Sequence, residues 1–197
     1  MSRLVLASGS AVRAKMLADA GVAFEVEKPR VDEGAAKASL RHAGMKPRDQ
    51  ADALAELKAL SVSRRRGGLV LGADQMLALG EEAFDKPSSR SEAKAHLEAL
   101  RGQTHVLMTA AVIVQDGVPI WRHVATPKLR MRMFSDAFLE DYLDRMGEAA
   151  FSSVGAYQLE GLGAQLFERV EGDYFAVLGL PLMELLAFLR EHEVVMA

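Results

Sequence analysis

The chain has 197 residues, half of them apolar and about a quarter charged; this composition is typical of an ordinary soluble globular protein, and the length allows a substantial core. A net charge of -3 argues against nucleic acid as a partner, because proteins that bind it usually carry a basic excess. The absence of cysteine excludes disulfides, thiolate metal sites and cysteine nucleophiles.

Strands and helices alternate along the chain, as they do in α/β proteins, with a size that fits one domain or two small lobes around a cleft. Predicted helices cover residues 11–20, 35–43, 49–66, 89–100 and 135–146, and a last helix begins near Pro181. Predicted strands cover residues 3–7, 22–27, 69–71 and 164–170, and a long hairpin joins 105–115 to 119–133 through Asp116 and Gly117.

The apolar segments are too short for export or for a membrane. The run at residues 4–7 is shorter than the apolar core of a signal peptide, and no stretch approaches the roughly 20 residues of a membrane span. We therefore expect a cytoplasmic protein without a membrane partner.

The first strand leads into the sequence SGSAVR, which has the outline of an anion site. Ser10 is placed to cap the next helix, whose free backbone N–H groups and positive dipole end would face a ligand over the loop. Gly9 would allow close approach, Ser8 and Ser10 would donate hydrogen bonds, and Arg13 would add a fixed charge. A capped turn without a ligand is the structural alternative.

Two acidic positions are candidates for a divalent cation. Glu33 follows Asp32 in the loop after the second strand, and Asp74 ends the apolar run LVLGAD. Carboxylates at strand ends beside a phosphate site suit magnesium or manganese, which prefer hard oxygen ligands. Turn or cap roles are the alternative, since Asp and Glu are common at both.

Two lysines supply the positive charge that a polyphosphate would need. Lys58 lies beside apolar residues on the predicted helix 49–66, where a solvated side chain is the alternative. Lys86 precedes Pro87, which favours an extended backbone at the lysine after an expected hairpin turn.

The segment GAYQLEGLG contains three glycines framing Gln158 and Glu160. This spacing predicts either a close approach to a ligand, a bulged strand or a glycine-rich turn. The sequence lacks HExxH histidine spacing and the patterns GxxxxGK[ST], GxGxxG after the first strand and GxSxG, which argues against a zinc site, a P-loop, a dinucleotide fold and a serine hydrolase.

The segments discussed above follow one another along the chain in the order SGSAVR, VDE, the Lys58 helix, LGADQ, DKP, RGQTH, GAYQLEGLG and EGDYFAVLGLP. In this order they resemble the Maf family of nucleoside triphosphate pyrophosphatases over nearly the whole chain. The resemblance implies a single domain over residues 1–197, with an elongated mixed sheet, flanking helices and two lobes around a cleft, similar to the inosine triphosphate pyrophosphatase fold. It also implies a homodimer, and cleavage of a nucleoside triphosphate between its α and β phosphates.

By the same resemblance, the residues expected to hold phosphate are Ser8, Ser10, Arg13, Lys58 and Lys86. Asp74 would position or deprotonate the attacking water, and Glu33 and Asp74 would hold the Mg²⁺ or Mn²⁺ ion. The alternatives are a nucleotide-binding regulator of division that does not cleave its ligand, and a phosphatase that removes the terminal phosphate.

Base preference in the family is linked to three positions, which here are Val12, Gln75 and Glu160. Gln75 and Glu160 resemble the branch acting on 7-methyl-GTP, where a carboxylate suits a cationic methylated purine. Val12 departs from both branches, since the methylguanine branch tends to have tryptophan there and the branch acting on dTTP and UTP has arginine. The sequence favours 7-methyl-GTP, with dTTP or UTP next.

Overall fold

A computed structural model describes residues 4–196, and within them the chain forms an open, mixed, eight-stranded sheet flanked by helices. The strand order is β2-β1-β3-β5-β7-β8, with β4 added beside β3 and β6 beside β5; β1 is parallel to β2 and β3, and the other pairs are antiparallel. The strands are β1 (Leu4–Ala7), β2 (Phe24–Val26), β3 (Leu69–Leu79), β4 (Glu82–Phe84), β5 (Thr104–Gln115), β6 (Val118–Ala125), β7 (Lys128–Met131) and β8 (Phe167–Glu171).

Most of the helices begin at a side chain that accepts a hydrogen bond from the backbone of the first turn, which satisfies an otherwise unpaired N–H group. The helices are α1 (Ala11–Asp19), α2 (Glu33–His42), α3 (Pro47–Ser63), α4 (Arg90–Leu100), α5 (Asp136–Met146), α6 (Tyr174–Leu178) and α7 (Leu182–Glu191). The capping residues are Ser10, Asp32, Ser89, Ser135 and Asp173. Among residues 4–196, no helix is long and apolar enough to cross a membrane.

The two long strands β3 and β5 pass through both halves of the sheet and give the molecule two lobes. In one half, β3 pairs with β1 and β5 with β6, and apolar side chains are packed by α3 on one face and by α1 and α7 on the other. In the other half, β3 pairs with β4 and β5 with β7, over a core built with α4 and α5. The predicted mixed sheet with flanking helices is confirmed.

Helix α3 lies unusually close to β3. A Cβ atom added to Gly72 would lie 2.1 Å from the carbonyl oxygen of Ala55 and 2.9 Å from the Cβ of Ala59. No side chain fits there, so only glycine on the strand and small residues on the helix allow this approach. The contact fixes α3 against β3 two residues before Asp74.

Strand β3 is longer than the three residues that the sequence predicts, and it is the main error in the predicted elements. It continues through Asp74 and Gln75 to Leu79, because β5 pairs with it from Leu69 to Ala78. Asp74 therefore lies within a strand and not after its end. The second arm of the predicted hairpin is also two strands, which separate just before Lys128 because Pro127 interrupts the ladder.

The glycine-framed segment is a set of turns and not a bulged strand. Short 3₁₀ helices occupy Val154–Ala156 and Leu162–Leu166, and the strand predicted over 164–170 begins only at Phe167. Helix α6 was not predicted, although Asp173 before an apolar run is a helix-start signal. The hairpin turn expected before Lys86 is confirmed, because β4 pairs antiparallel with the end of β3, although no bounds were predicted for β4. The first predicted strand includes residue 3, which lies outside the described residues.

Candidate active site

The ten residues that the sequence singles out all line one cleft between the lobes, with a volume of about 1070 Å³. The cleft is bordered by the β1–α1 loop, α2, α3, the middle of β3, the loop after β4 and the irregular segment of residues 152–160. The members are Ser8, Ser10, Val12, Arg13, Glu33, Lys58, Asp74, Gln75, Lys86 and Glu160. The structure therefore brings together side chains that are separated by up to 152 positions in the chain.

The β1–α1 loop is shaped by its own hydroxyl groups. The Ser8 hydroxyl accepts a hydrogen bond from the Ser10 backbone N–H at 3.1 Å, and Ser10 Oγ accepts one from the Arg13 N–H at 3.3 Å as the cap of α1. These bonds turn the start of the helix toward the cleft, where its N-terminal dipole favours an anion.

The Arg13 side chain is fixed by neutral acceptors, and it forms no ion pair with the residues that the structure describes. Its Nε donates to the Gly179 carbonyl at 2.7 Å, and its Nη1 donates to the Ala73 carbonyl at 2.9 Å. Burial lowers the pKa of Arg13, and the nearby charges of Asp74 and Glu33 raise it in part. The guanidinium remains protonated, since arginine does not lose its proton in proteins.

Lys58 joins the two predicted metal ligands. Its ammonium donates to Asp74 Oδ1 at 2.7 Å and lies 2.9 Å from Glu33 Oε2. The side chains of Lys58 and Asp74 are each only 7% exposed, whereas that of Glu33 is 47% exposed. Of the three ammonium hydrogens, the third is available to another acceptor, such as a phosphate oxygen.

One of the two carboxylate oxygens of Asp74 has no protein partner within residues 4–196. Its Oδ2 is buried and has no hydrogen-bond partner among the residues that the structure describes. Buried carboxylate oxygens are normally satisfied, so an orphaned oxygen on a residue that lines a cleft is a candidate position for a water, a cation or a ligand.

The oxygen donors fit a hard divalent cation that is completed by the substrate. Within residues 4–196, no group of three or more His, Cys, Asp or Glu side chains is arranged to hold a metal by itself. Glu33 and Asp74 supply two carboxylates, and magnesium commonly binds one or two carboxylates together with substrate phosphates and water. Lys58 contacts both carboxylates in this arrangement.

Lys86 stands at the mouth of the cleft, in the loop after β4. It is exposed as a residue, yet partial desolvation of its ammonium lowers its pKa, and the positive charges of Arg13, Lys58 and Lys37 lower it further. Glu33 acts in the opposite direction. A site that holds this many cations close together is suited to a polyanion.

The three base-preference positions differ in how they are held. Gln75 donates its amide to Thr109 Oγ1 at 2.8 Å and to two carbonyls of α6, at Ala176 and Val177. Val12 is partly buried and packs against the apolar cluster under α1, while Glu160 is exposed in the turn before the second 3₁₀ segment.

The sequence reasoning missed a second charged group at the cleft. Asp85 accepts a hydrogen bond from Lys37 at 2.9 Å and from Arg41 at 2.7 Å, and all three line the cleft. Burial raises the pKa of Asp85, but the hydrogen bonds from Lys37 and Arg41 outweigh it, so that the pKa is lowered. The spacing from Glu33, four and eight residues on one helix, is a signal that would have found both cations.

Comparison with known sequences decides the family. The sequence model of the family described as "Maf-like protein" matches residues 3–192. The chain belongs to the Maf family.

Relatives of this Maf family member are similar over nearly their whole length. A protein of Hyphomonas neptunium named nucleoside triphosphate pyrophosphatase is 54% identical over 191 residues, which cover 97% of this chain and 96% of the relative. One of the same name from Caulobacter vibrioides is 55% identical, covering 98% and 96%. A protein of Mesorhizobium japonicum named 7-methyl-GTP pyrophosphatase is 51% identical, covering 95% of each.

Proposed function

We propose that this protein is a nucleoside triphosphate pyrophosphatase, a hydrolase that splits the α–β phosphoanhydride to give the nucleoside monophosphate and pyrophosphate. The observation that carries the proposal is the Asp74 carboxylate beside the cleft, whose Oδ1 accepts a hydrogen bond from Lys58 while Oδ2 has no partner among the described residues. The names of the full-length relatives support the same reaction.

In this mechanism Asp74 orients the attacking water and takes its proton through Oδ2, while Lys58 holds the carboxylate by Oδ1. Water adds its oxygen to phosphorus at the α–β linkage, and the bridging oxygen leaves with the pyrophosphate. Ser8, Ser10 and the start of α1 would bind phosphate oxygens, because their hydroxyl and N–H groups surround the loop.

Charge that gathers on the leaving pyrophosphate would be neutralised by Arg13, Lys86 and the third hydrogen of Lys58. Arg13 suits this role because its present partners are neutral carbonyls. A magnesium or manganese ion held by Glu33 and Asp74 would supply further neutralisation when bound.

The decisive experiment incubates the full chain with a panel of canonical and methylated triphosphates, with Mg²⁺ or Mn²⁺. We expect phosphate to be detected only after an inorganic pyrophosphatase is added, since pyrophosphate is the direct product. Phosphate released without that addition would identify a terminal phosphatase, and nucleotide binding without product would identify a regulator.

For the base, we propose 7-methyl-GTP as the preferred substrate, with dTTP or UTP next. Glu160 is an exposed carboxylate on the cleft, and its negative charge suits a cationic purine. Gln75 is anchored through its amide nitrogen. Its amide oxygen accepts no hydrogen bond from residues 4–196 and is therefore available to the base. Two relatives, from Mesorhizobium japonicum and Rhizobium johnstonii, are named 7-methyl-GTP pyrophosphatase.

Glu160→Gln tests this preference. We expect kcat/KM for 7-methyl-GTP to fall about tenfold relative to GTP, which is the loss of one charge-assisted contact. Glu148→Gln, at an exposed position that does not line the cleft, is the control. An unchanged ratio in Glu160→Gln would remove this residue from base recognition.

The family resemblance also carries the proposal of a homodimer. Sedimentation of the purified chain at several concentrations tests it, and a monomer at every concentration would contradict it.

A further inference from the structure

Helix α2 presents charged side chains to the cleft along one face. Glu33, Lys37 and Arg41 are spaced four residues apart, so that Lys37 and Arg41 lie about 6 Å and about 12 Å farther along the axis than Glu33. The first of them contacts Lys58, and the other two contact Asp85. The face therefore extends from the reaction centre to the loop that carries Lys86.

Helix α2 is held in position mainly by polar contacts across the cleft. None of the 10 residues of α2, all within the described range, is fully buried. Its ion pairs reach across to α3, to β3 through Lys58, and to the loop after β4. A ligand that changes those ion pairs would meet little resistance from apolar packing.

Asp85 is shared by two cations, and this leaves positive charge in excess. The cleft is lined by six basic side chains and four carboxylates. Lys58 already contacts Asp74 and Glu33, while Lys37 and Arg41 have one carboxylate between them. The side chains of Arg41 and Asp85 are 42% and 41% exposed, and ion pairs this accessible to water contribute little stability.

From this geometry we propose that Lys37 and Arg41 bind the distal phosphates of the substrate. Before the substrate binds, the Asp85 carboxylate occupies the position of those phosphates. Two donors converge on the two oxygens of one carboxylate, at 2.9 Å and 2.7 Å, and a phosphate group presents oxygens of similar spacing with more charge. The inference rests on the proposed pyrophosphatase function and assigns two further residues to it.

The position of Lys37 and Arg41 indicates that they contact the distal phosphates and not the nucleoside. Lys37 is near enough to Lys86 for its charge to lower the pKa of that lysine, after the larger effect of desolvation. Gln75, a base-preference position, is instead tied to α6 and β5. The Lys37 and Arg41 pair thus belongs with the phosphate-binding lysine, on the leaving-group side of the site.

The test measures how tightly each reaction product binds. Isothermal titration of the full chain with pyrophosphate, in the presence of Mg²⁺, is compared with titration by the nucleoside monophosphate. We expect Lys37→Met and Arg41→Met each to weaken pyrophosphate binding about tenfold while monophosphate binding stays constant. Lys15→Met, which breaks an exposed ion pair on α1 outside the cleft, is the matched control.

Asp85→Asn separates ligand binding from a merely structural role. It frees both cations, so we expect pyrophosphate to bind about threefold more tightly, although the variant breaks the same ion pairs as the lysine and arginine variants. Equal weakening in all three variants, or no change in Lys37→Met and Arg41→Met, would overturn the inference. Thermal melting verifies that each variant is folded.

A failure of this inference can be distinguished from a failure of the proposed function. If the wild-type chain releases no pyrophosphate from any nucleotide, the pyrophosphatase assignment fails. If the wild type is active while the α2 variants bind pyrophosphate as it does, only the role of Lys37 and Arg41 fails.

Discussion

Lys58 and Asp74 are joined by a 2.7 Å hydrogen bond between a helix and a strand that pack closely where Gly72 faces Ala55 and Ala59. The bond uses one carboxylate oxygen and leaves the other, also buried, unpartnered among the described residues. The close packing at Gly72 sets the distance between α3 and β3 two residues before Asp74, where Lys58 reaches Oδ1. Several consequences of this arrangement are open to measurement.

Asp74→Asn replaces the oxygen that would accept a proton with an amide of the same shape. We expect kcat to fall by about 10²- to 10⁴-fold, the usual contribution of a positioned general base. The measurement is pyrophosphate release at saturating nucleotide, and an unchanged far-UV spectrum shows that the fold is kept. Turnover close to wild type would remove Asp74 from the catalytic role.

Lys58→Met leaves the buried Asp74 carboxylate without its cation. We expect the free energy of unfolding to drop by about 3 kcal/mol or more, because an unpaired buried charge is costly. The double variant Lys58→Met with Asp74→Asn should recover part of this loss, since neither charge remains. Urea unfolding of the three variants forms a double-mutant cycle, and strictly additive effects would show that the pair is not coupled.

Gly72→Ala places a methyl group where no space exists between β3 and α3. The added Cβ would lie 2.1 Å from the Ala55 carbonyl oxygen, so α3 must shift, and we expect a loss of about 1–3 kcal/mol in stability together with reduced turnover. Gly67→Ala is the matched control, because none of the described atoms lies within 4 Å of a Cβ there. Equal stabilities of the two variants in urea would refute the steric argument.

His105 makes stability depend on pH. It is fully buried, its Nε2 lies 2.8 Å from the Tyr157 hydroxyl, and burial lowers its pKa from 6.5 to about 4. Between those values the unfolded chain binds more protons than the folded one, so stability is full above about pH 6.5 and falls as the pH drops toward 4. The loss amounts to about 3 kcal/mol.

Unfolding free energies from pH 4 to pH 7 test this effect. We expect His105→Gln to flatten the slope in that window, while His42→Gln, at an exposed site, retains the wild-type slope. A slope that persists unchanged in His105→Gln would assign the pH dependence to other groups.

The sequence predicts which residues line the cleft better than it predicts which of them contact each other. Local motifs identify most of the charged members: Glu33 lies at a helix start, Asp74 in a strand and Lys86 beside a proline. Lys58, in the middle of α3, has no such local signal. The bond from Lys58 to both Glu33 and Asp74 could not be foreseen, since it depends on how closely α3 approaches β3. Pairing between distant elements is a property of tertiary packing and leaves little trace in local periodicity.

The helices were predicted more accurately than the strands for a related reason. Caps such as Ser89 and Ser135 mark helix starts in the sequence itself. The continuation of β3 beyond Leu71 depends instead on its partner β5, which provides hydrogen bonds as far as Ala78. Mixed apolar and polar residues along GADQML carry no signal strong enough to replace that information.

The bond from Arg13 to the Gly179 carbonyl has a consequence for how the protein matures during synthesis. The two residues are 166 positions apart, so a ribosome delivers the arginine long before its acceptor. Because domains emerge from the ribosome amino terminus first and long-range contacts form late, Arg13 could bond to the Ala73 carbonyl on the nascent chain well before it meets Gly179. The Arg13 side chain would thus gain its complete set of backbone acceptors only when the segment around Gly179 packs beside the first helix.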